Sequence, residues 1–236
     1  MWEASDRPGQ VVVESKDDLT AGDGAKHDVI AGKAALATRT TANVFRLLKA
    51  CGVPVAFVEE IDETRFLAEQ CTMVPYEVVV RREAHGSFLK RRPELPKGHV
   101  FPRLVLEFFL KTSGKRWKDI DLPKDDPLVR FEEERLSLYL PDQPIHQQKP
   151  FATLEDFPLR ESPDRLREIG TVAIKTFLVL EKAWQLVGRR LVDFKVEFGI
   201  NAGGELRLAD VIDNDSWRVL AEGRYIDKQL YRDGTD

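Results

Sequence analysis

The chain is poor in the residues from which covalent and metal frameworks are built. Its 236 residues include two cysteines, Cys51 and Cys71, too few for a disulfide network or a thiolate metal cluster. Small buried thiols in a reducing compartment are the expectation for both. The four histidines, His27, His85, His99 and His146, are scattered, with no pair at metal-ligand spacing, which argues against a zinc site. No apolar run approaches the roughly 20 residues of a membrane span; the longest candidate, 100–110, is broken by Pro102, Arg103 and Glu107. The opening MWEASDRPGQ lacks both the basic start and the apolar core of a secretory signal. A formal net charge of −4 with both signs abundant gives no reason to expect nucleic-acid binding. A GxxxxGK loop followed by Ser or Thr, a nucleophile elbow, internal repeats and low-complexity tracts are all missing from the sequence. The expectation that remains is a soluble cytoplasmic protein with no membrane or nucleic-acid partner.

The length suffices for one large domain or two small lobes. A strand remnant, a turn at 7–9 and a strand over 10–14 open the chain, followed by a polar, glycine-punctuated segment, SKDDLTAGDGAKHDVIAGK, that reads as a loop. A helix is expected from about Thr38 to Cys51, with Val44, Leu47, Leu48 and Cys51 on its apolar face and Gly52 closing it. Strands are expected at 54–59, 65–68, 77–81 and 105–110. The stretch 111–127 reads as a surface insertion or lid, and 140–158 as a long loop. A second helix starts with Ser162 as N-cap and Pro163 at its first position. Its stripe of Leu166, Ile169, Ala173, Phe177, Leu180 and Trp184 points to core packing, and Gly188 ends it.

The chemistry concentrates in LVDFKVEFGINAGGELRLADVIDNDSWR, residues 191–218. Asp193, Lys195 and Glu197 alternate with apolar residues, a turn follows at 201–204, and a second apolar run ends at Asp210. That pattern is a β-hairpin, and the alternation by itself would also suit a half-solvated strand. Carboxylates brought together across a hairpin beside a lysine suit magnesium and a polyphosphate. Asp213, Asn214, Asp215, Ser216 and Arg218 follow at once, more polar groups than a turn requires. Two further sets can meet anions. Lys16, Lys26 and Lys33 lie in or beside the glycine-rich loop. The string RREAHGSFLKRR places Ser87 and Gly86 between Arg81, Arg82, Lys90 and Arg91; a solvated basic turn would have the same composition.

Taken together, SKDDLTAGDGAKHDVIAGKAAL, ATRTTANVFRLL, MVPYEVVVRREAHGSFLKR, LVDFKVEFG, LADVIDNDSWR and DKQLYRD resemble the SAICAR synthetase family, in a motif style similar to the form fused in animal purine enzymes. The resemblance implies an α+β, two-lobed fold related to ATP-grasp enzymes, with a nucleotide cleft between an N-terminal nucleotide-binding lobe, 1–76, and a substrate- and metal-binding lobe, 77–236. It implies an ATP-dependent ligase that joins L-aspartate to CAIR, a carboxylated aminoimidazole ribonucleotide, in purine biosynthesis. The cofactors would be ATP and Mg2+, and a homo-oligomer is expected. Met73 would mark a hinge contacting adenine, with Lys16 over the nucleotide. Glu197 and Asp210 would hold magnesium. Lys195 would lie near the transferred phosphate, Asp193 in the same motif, and Lys111 on the substrate side. Arg81, Ser87 and Arg218, with Asp215 and Ser216 close by, would bind CAIR, and Lys26 and Lys33 would close over the substrates. The chain departs from the family pattern where two aspartates usually follow the lysine matched by Lys111; Asp125 and Asp126 restore such a pair beyond an insertion. The family's GKxK phosphate loop would precede Met1, and its last helix would follow the end of the chain. Two alternatives stay open: a homologue that binds nucleotide or CAIR without efficient catalysis, which the missing phosphate loop motivates, and a small-molecule kinase on the same fold.

Overall fold

A computed structural model describes residues 1–21, 26–112, 116–117, 120–123, 125–132, 135–154 and 161–228. The chain divides into two compact units: Met1–Met73 with Lys175–Leu191 and the segment from Val196 onward, and Val74–Ile174 with Val192–Lys195. The strands Cys71–Glu83 and Arg190–Asn201 and the helix Pro163–Leu186 contribute residues to both.

In the first unit the strands run in the order Trp2–Glu3, Gln10–Glu14, Arg65–Glu69, Phe57–Glu60, all antiparallel. The helix α1, Lys33–Ala50, covers this sheet with Phe45, whose ring stacks on Phe57 at 5.8 Å; Phe57 in turn meets Phe66 at 5.7 Å. Each such buried phenylalanine contributes about 1.5–3 kcal/mol. The helix begins before the expected Thr38 because its first turn is fixed from a distance: the Asp17 carboxylate accepts the Ala34 N–H at 2.8 Å, and Gly32 caps the helix at φ +84°. Its buried face is Ala34, Thr38, Thr41, Ala42, Val44, Phe45 and Leu48, so Leu47 and Cys51 fall outside it. Cys51 is exposed and Cys71 only partly buried, contrary to the expectation of two buried thiols; Cys51 sits at the C-cap, past the last packed turn. The segment read as a loop contains an antiparallel ladder, Asp18–Ala21 against Lys26–Val29. The expected hairpin is present. Arg190–Asn201 pairs with Leu206–Ala209, with Glu197 opposite Ala209 and Gly199 opposite Arg207.

In the second unit the strand order is Ala152–Leu154, Leu136–Tyr139, Leu128–Phe131, Val100–Leu110, Cys71–Glu83. Ala152–Leu154 and the 3-10 turn Ile145–Gln147 fall within the stretch expected to be irregular; the turn is ordered by Gln148, whose side chain bonds both backbone groups of Leu140. A short helix, α2, Phe88–Arg91, packs Phe88 edge-on against Phe101 at 5.3 Å. The long helix α3, Pro163–Leu186, starts as expected, with Ser162 Oγ accepting the Arg165 N–H at 3.2 Å. Ile169, Ala173, Phe177 and Leu180 are buried along it. Among the described residues no helix is long and apolar enough to cross a membrane.

Candidate active site

Period-2 alternation puts Asp193, Lys195, Glu197 and Gly199 on one face of the strand Arg190–Asn201. The burial along that face is uneven: Asp193 and Glu197 are buried and Lys195 is exposed. Asp210, immediately beyond the paired Ala209, is exposed and adopts φ +60°. A non-glycine residue in the left-handed region costs about 1–3 kcal/mol of backbone strain and tends to mark a functional position. Aspartate tolerates that conformation better than most.

Within the first unit, Asp215 gathers one of the expected cations, Lys33, and one that sequence reasoning did not assign, Lys228. Its Oδ2 lies 3.8 Å from Lys33 Nζ and accepts a hydrogen bond from Lys228 Nζ at 3.0 Å. Lys228 was legible only as part of the DKQLYRD string. The turn holding Asp215 is tied internally. Its N–H donates to Asp213 Oδ1 at 2.8 Å, while Ser216 Oγ donates to the Val211 carbonyl and accepts the Asp213 N–H. Ser216 is buried in this turn and Arg218 is half-exposed. Burial pushes the Asp213 carboxyl above its ordinary range. Lys33, Thr40, Asp213 and Asp215, with Ile30 and Leu36, line a cavity of about 180 Å³. Met73 and Lys16 are exposed. The side chain of Lys26 lies outside the described residues.

Within the second unit, the basic string splits by direction. Arg81 turns inward, 4% exposed. Its Nε donates to Glu107 at 2.7 Å and its Nη1 to Asp193 at 2.6 Å. Arg91, equally buried, donates to the other Glu107 oxygen at 2.7 Å and to the Pro141 carbonyl at 2.8 Å. Burial favours a neutral Glu107 carboxyl, but the two guanidiniums outweigh it and hold the group below the usual glutamate range. Ser87 is exposed at the head of α2, just after Gly86 at φ +57°. Behind it His85 Nε2 and Glu83 Oε2 form a buried contact at 3.2 Å. Lys195 Nζ bonds Glu77. Lys111 is exposed, and the neighbouring Thr112 N–H donates to Asp126 at 2.9 Å. Sequence reasoning missed Glu77, Glu107 and Arg91 as partners, since each meets its partner on a different element of the fold, Glu77 and Glu107 across strands and Arg91 from α2.

Among the described residues, no group of three or more His, Cys, Asp or Glu could hold a metal ion by itself. Hard carboxylates such as Glu197 on one strand and Asp210 just beyond the end of its partner strand nevertheless suit magnesium, which keeps several waters and is held by one or two carboxylates plus substrate phosphates.

A protein-family model for SAICAR synthetase matches residues 1–236. The chain is 38% identical over 228 residues to the phosphoribosylaminoimidazole-succinocarboxamide synthase of Roseiflexus castenholzii, covering 95% of this chain and 80% of that protein. It is 40% identical over 237 residues to the multifunctional protein ADE2 of Gallus gallus, covering 99% of this chain and 50% of that one. A bifunctional purine synthesis protein, purC/E of Dictyostelium discoideum, is 39% identical over 226 residues, and the match spans 94% of this chain but 20% of that protein. The SAICAR synthetase of Pyrococcus horikoshii OT3 superimposes with a TM-score of 0.78 at 29% identity, covering 96% of this chain and 87% of its own. A SAICAR synthetase solved in complex with ADP gives 0.78 at 30% identity, covering 96% and 85%. A match to the family model along all 236 residues, joined by sequence relatives and structural neighbours of the same name, shows that the chain belongs to the SAICAR synthetase family.

Proposed function

We propose that the protein is an ATP-dependent C–N ligase that condenses CAIR with L-aspartate to SAICAR, releasing ADP and phosphate, in the cytoplasm and as a homo-oligomer. The observation that carries the reading is the hairpin 190–209, with Lys195 and Glu197 on one strand and Asp210 in a strained conformation after the other, in a chain matched to the family along its full length. Residues 1–76 serve the nucleotide and 77–236 the substrates and metal.

A carboxylate is a poor electrophile at neutral pH. Transfer of the γ-phosphoryl group from ATP to the CAIR carboxylate oxygen forms an acyl phosphate and ADP. The aspartate amine then attacks the acyl carbon, phosphate leaves with the C–O bonding pair, and the amine loses a proton. Glu197 and Asp210 would hold Mg2+, which offsets charge on the phosphates when bound. Lys195, tethered by Glu77, offsets charge on the transferring group, with Asp193 fixed behind it in the same strand. Met73 meets adenine and Lys16 the nucleotide. Ser87 and Arg218 recognise CAIR, and Arg81 serves the same substrate while two of its donors are engaged by Glu107 and Asp193. Asp215, Ser216, Lys26, Lys33 and Lys111 serve the substrates. No covalent nucleophile is required of the protein.

Coupled ADP release with ATP, magnesium, CAIR and L-aspartate, omitting each in turn, tests the reading. Release that needs all three substrates is expected. Release with a hydroxyl acceptor and no need for aspartate would instead identify a kinase, and ligand binding without any release would identify a non-catalytic homologue.

A further inference from the structure

Gly199 occupies the position on the strand Arg190–Asn201 that continues the face of Asp193, Lys195 and Glu197. A Cβ placed there would fall 2.5 Å from Cys71 Cβ, 3.2 Å from Met73 Sδ and 3.4 Å from the Thr72 carbonyl oxygen. Directly opposed residues in a regular ladder keep their Cβ atoms about 4.5–5.5 Å apart. The segment 71–73 therefore lies closer to this strand than any side chain at position 199 would permit, and the nearest obstacle is the root of a side chain that cannot swing away. The same approach is fastened a few residues off. Arg207, opposite Gly199 in the hairpin, donates from Nε to both Glu69 carboxylate oxygens at 3.1 and 3.0 Å, and Asn201 Nδ2 donates to Glu69 at 2.8 Å. Glu69 lies two residues before Cys71. A charged clamp pulls the segment toward the hairpin, and the missing side chain lets it arrive.

The geometry points to Gly199 as a positioning residue that, with the Glu69–Arg207–Asn201 clamp, sets the distance between the backbone at Met73 and the carboxylates Glu197 and Asp210. The inference rests on the assignment of Met73 to the adenine and of Glu197 and Asp210 to the metal-bound phosphates. A nucleotide bends about several rotatable bonds between base and terminal phosphate, but only part of that range lets both ends engage their partners well, so a changed spacing costs affinity. A displacement of the order of 1 Å forces either the ligand or the protein to give up part of one contact to keep the other.

The test uses the whole chain and ADP with magnesium. Gly199→Ala is expected to raise the Kd for ADP tenfold or more by calorimetry, with the KM for CAIR within twofold of the parent. Gly199→Ala combined with Cys71→Gly, which removes the opposing Cβ, is expected to bring the Kd back to within threefold. A loss that Cys71→Gly does not relieve, or a folded Gly199→Ala with unchanged ADP affinity, overturns the positioning role. Should Gly199→Ala fail to fold, Arg207→Gln releases the clamp without adding an atom; an unchanged ADP Kd there overturns the inference equally. Photolabelling by 8-azido-ADP examines the underlying assignment separately. Label on the peptide 71–75 upholds it even if Gly199 proves indifferent, whereas label elsewhere removes both.

Discussion

Replacing Glu107 by glutamine would remove one charge from a buried ionic cluster that joins Arg81, Arg91 and Asp193. The carboxylate is 9% exposed and accepts from Arg81 Nε and Arg91 Nη2, both at 2.7 Å. Glutamine keeps one acceptor oxygen but turns an amide donor toward the other guanidinium. Arg81 would retain Asp193, and Arg91 would be left with the neutral Pro141 carbonyl. Removing one member of a buried ion pair costs about 3–5 kcal/mol, since the remaining charge stays desolvated. For a protein of this size each kcal/mol corresponds to about 2–4 °C in Tm, so a fall of about 6–20 °C is expected. The pH dependence has a definite sign. The folded-state Glu107 carboxyl is held below its ordinary value, so its contribution is complete above the ordinary glutamate range and is lost as pH falls through the lowered folded value. Urea denaturation followed by tryptophan fluorescence, at neutral pH and again in acid, should show a gap between wild type and variant that narrows at low pH. A difference below about 1 kcal/mol at neutral pH, or a gap that does not change with pH, would refute the reasoning. Glu107→Leu with Arg91→Met should do less damage than Glu107→Gln alone, because Arg81 keeps a carboxylate and no unpaired charge remains.

Other outcomes follow from the same geometry. Glu197→Gln should abolish aspartate-dependent ADP release by weakening magnesium, and normal ATP consumption by this variant would remove the metal assignment. Arg218→Ala should raise the KM for CAIR far more than that for ATP; equal changes in steady-state kinetics would contradict its assignment to CAIR. Asp213→Asn should leave Tm unchanged or raise it at neutral pH. Burial pushes the folded-state carboxyl up, so ionising it costs stability as pH rises through the window from the ordinary aspartate value to the raised one, and asparagine can still accept the Asp215 N–H. A large loss of Tm at neutral pH would sink that account.

Where the sequence was legible, the determining interactions were local. The hairpin 190–209 follows from strict alternation interrupted by the turn-forming Asn201 to Gly204, and Asn201 Oδ1 accepts the Gly203 and Glu205 N–H groups in that turn. The start of α3 follows from Ser162 and Pro163, and the ends of α1 and α3 from Gly52 and Gly188, both in the left-handed region. The start of α1 was not legible, because the Asp17 side chain that fixes it lies 17 residues before Ala34.

The basic string 81–92 shows the same limit applied to function. Its composition describes an anion cradle, and the order of its residues cannot say which cations face solvent. Arg81 finds Asp193 at a sequence separation of 112 and Glu107 at 26, while Arg91 finds Glu107 at 16. These acids decide that Arg81 and Arg91 turn inward, leaving Lys90, Arg92 and Ser87 exposed. Asp193 illustrates the converse. Alternation places it beside Lys195 and Glu197 as an equal member of a charged face, yet its carboxylate is committed to a buried guanidinium. Secondary structure along a strand is a property of neighbours, whereas the protonation and availability of a charged group depend on partners brought in from other strands. A motif read from sequence can therefore locate a site, and the pairing across the sheet decides which of its residues are available to a ligand.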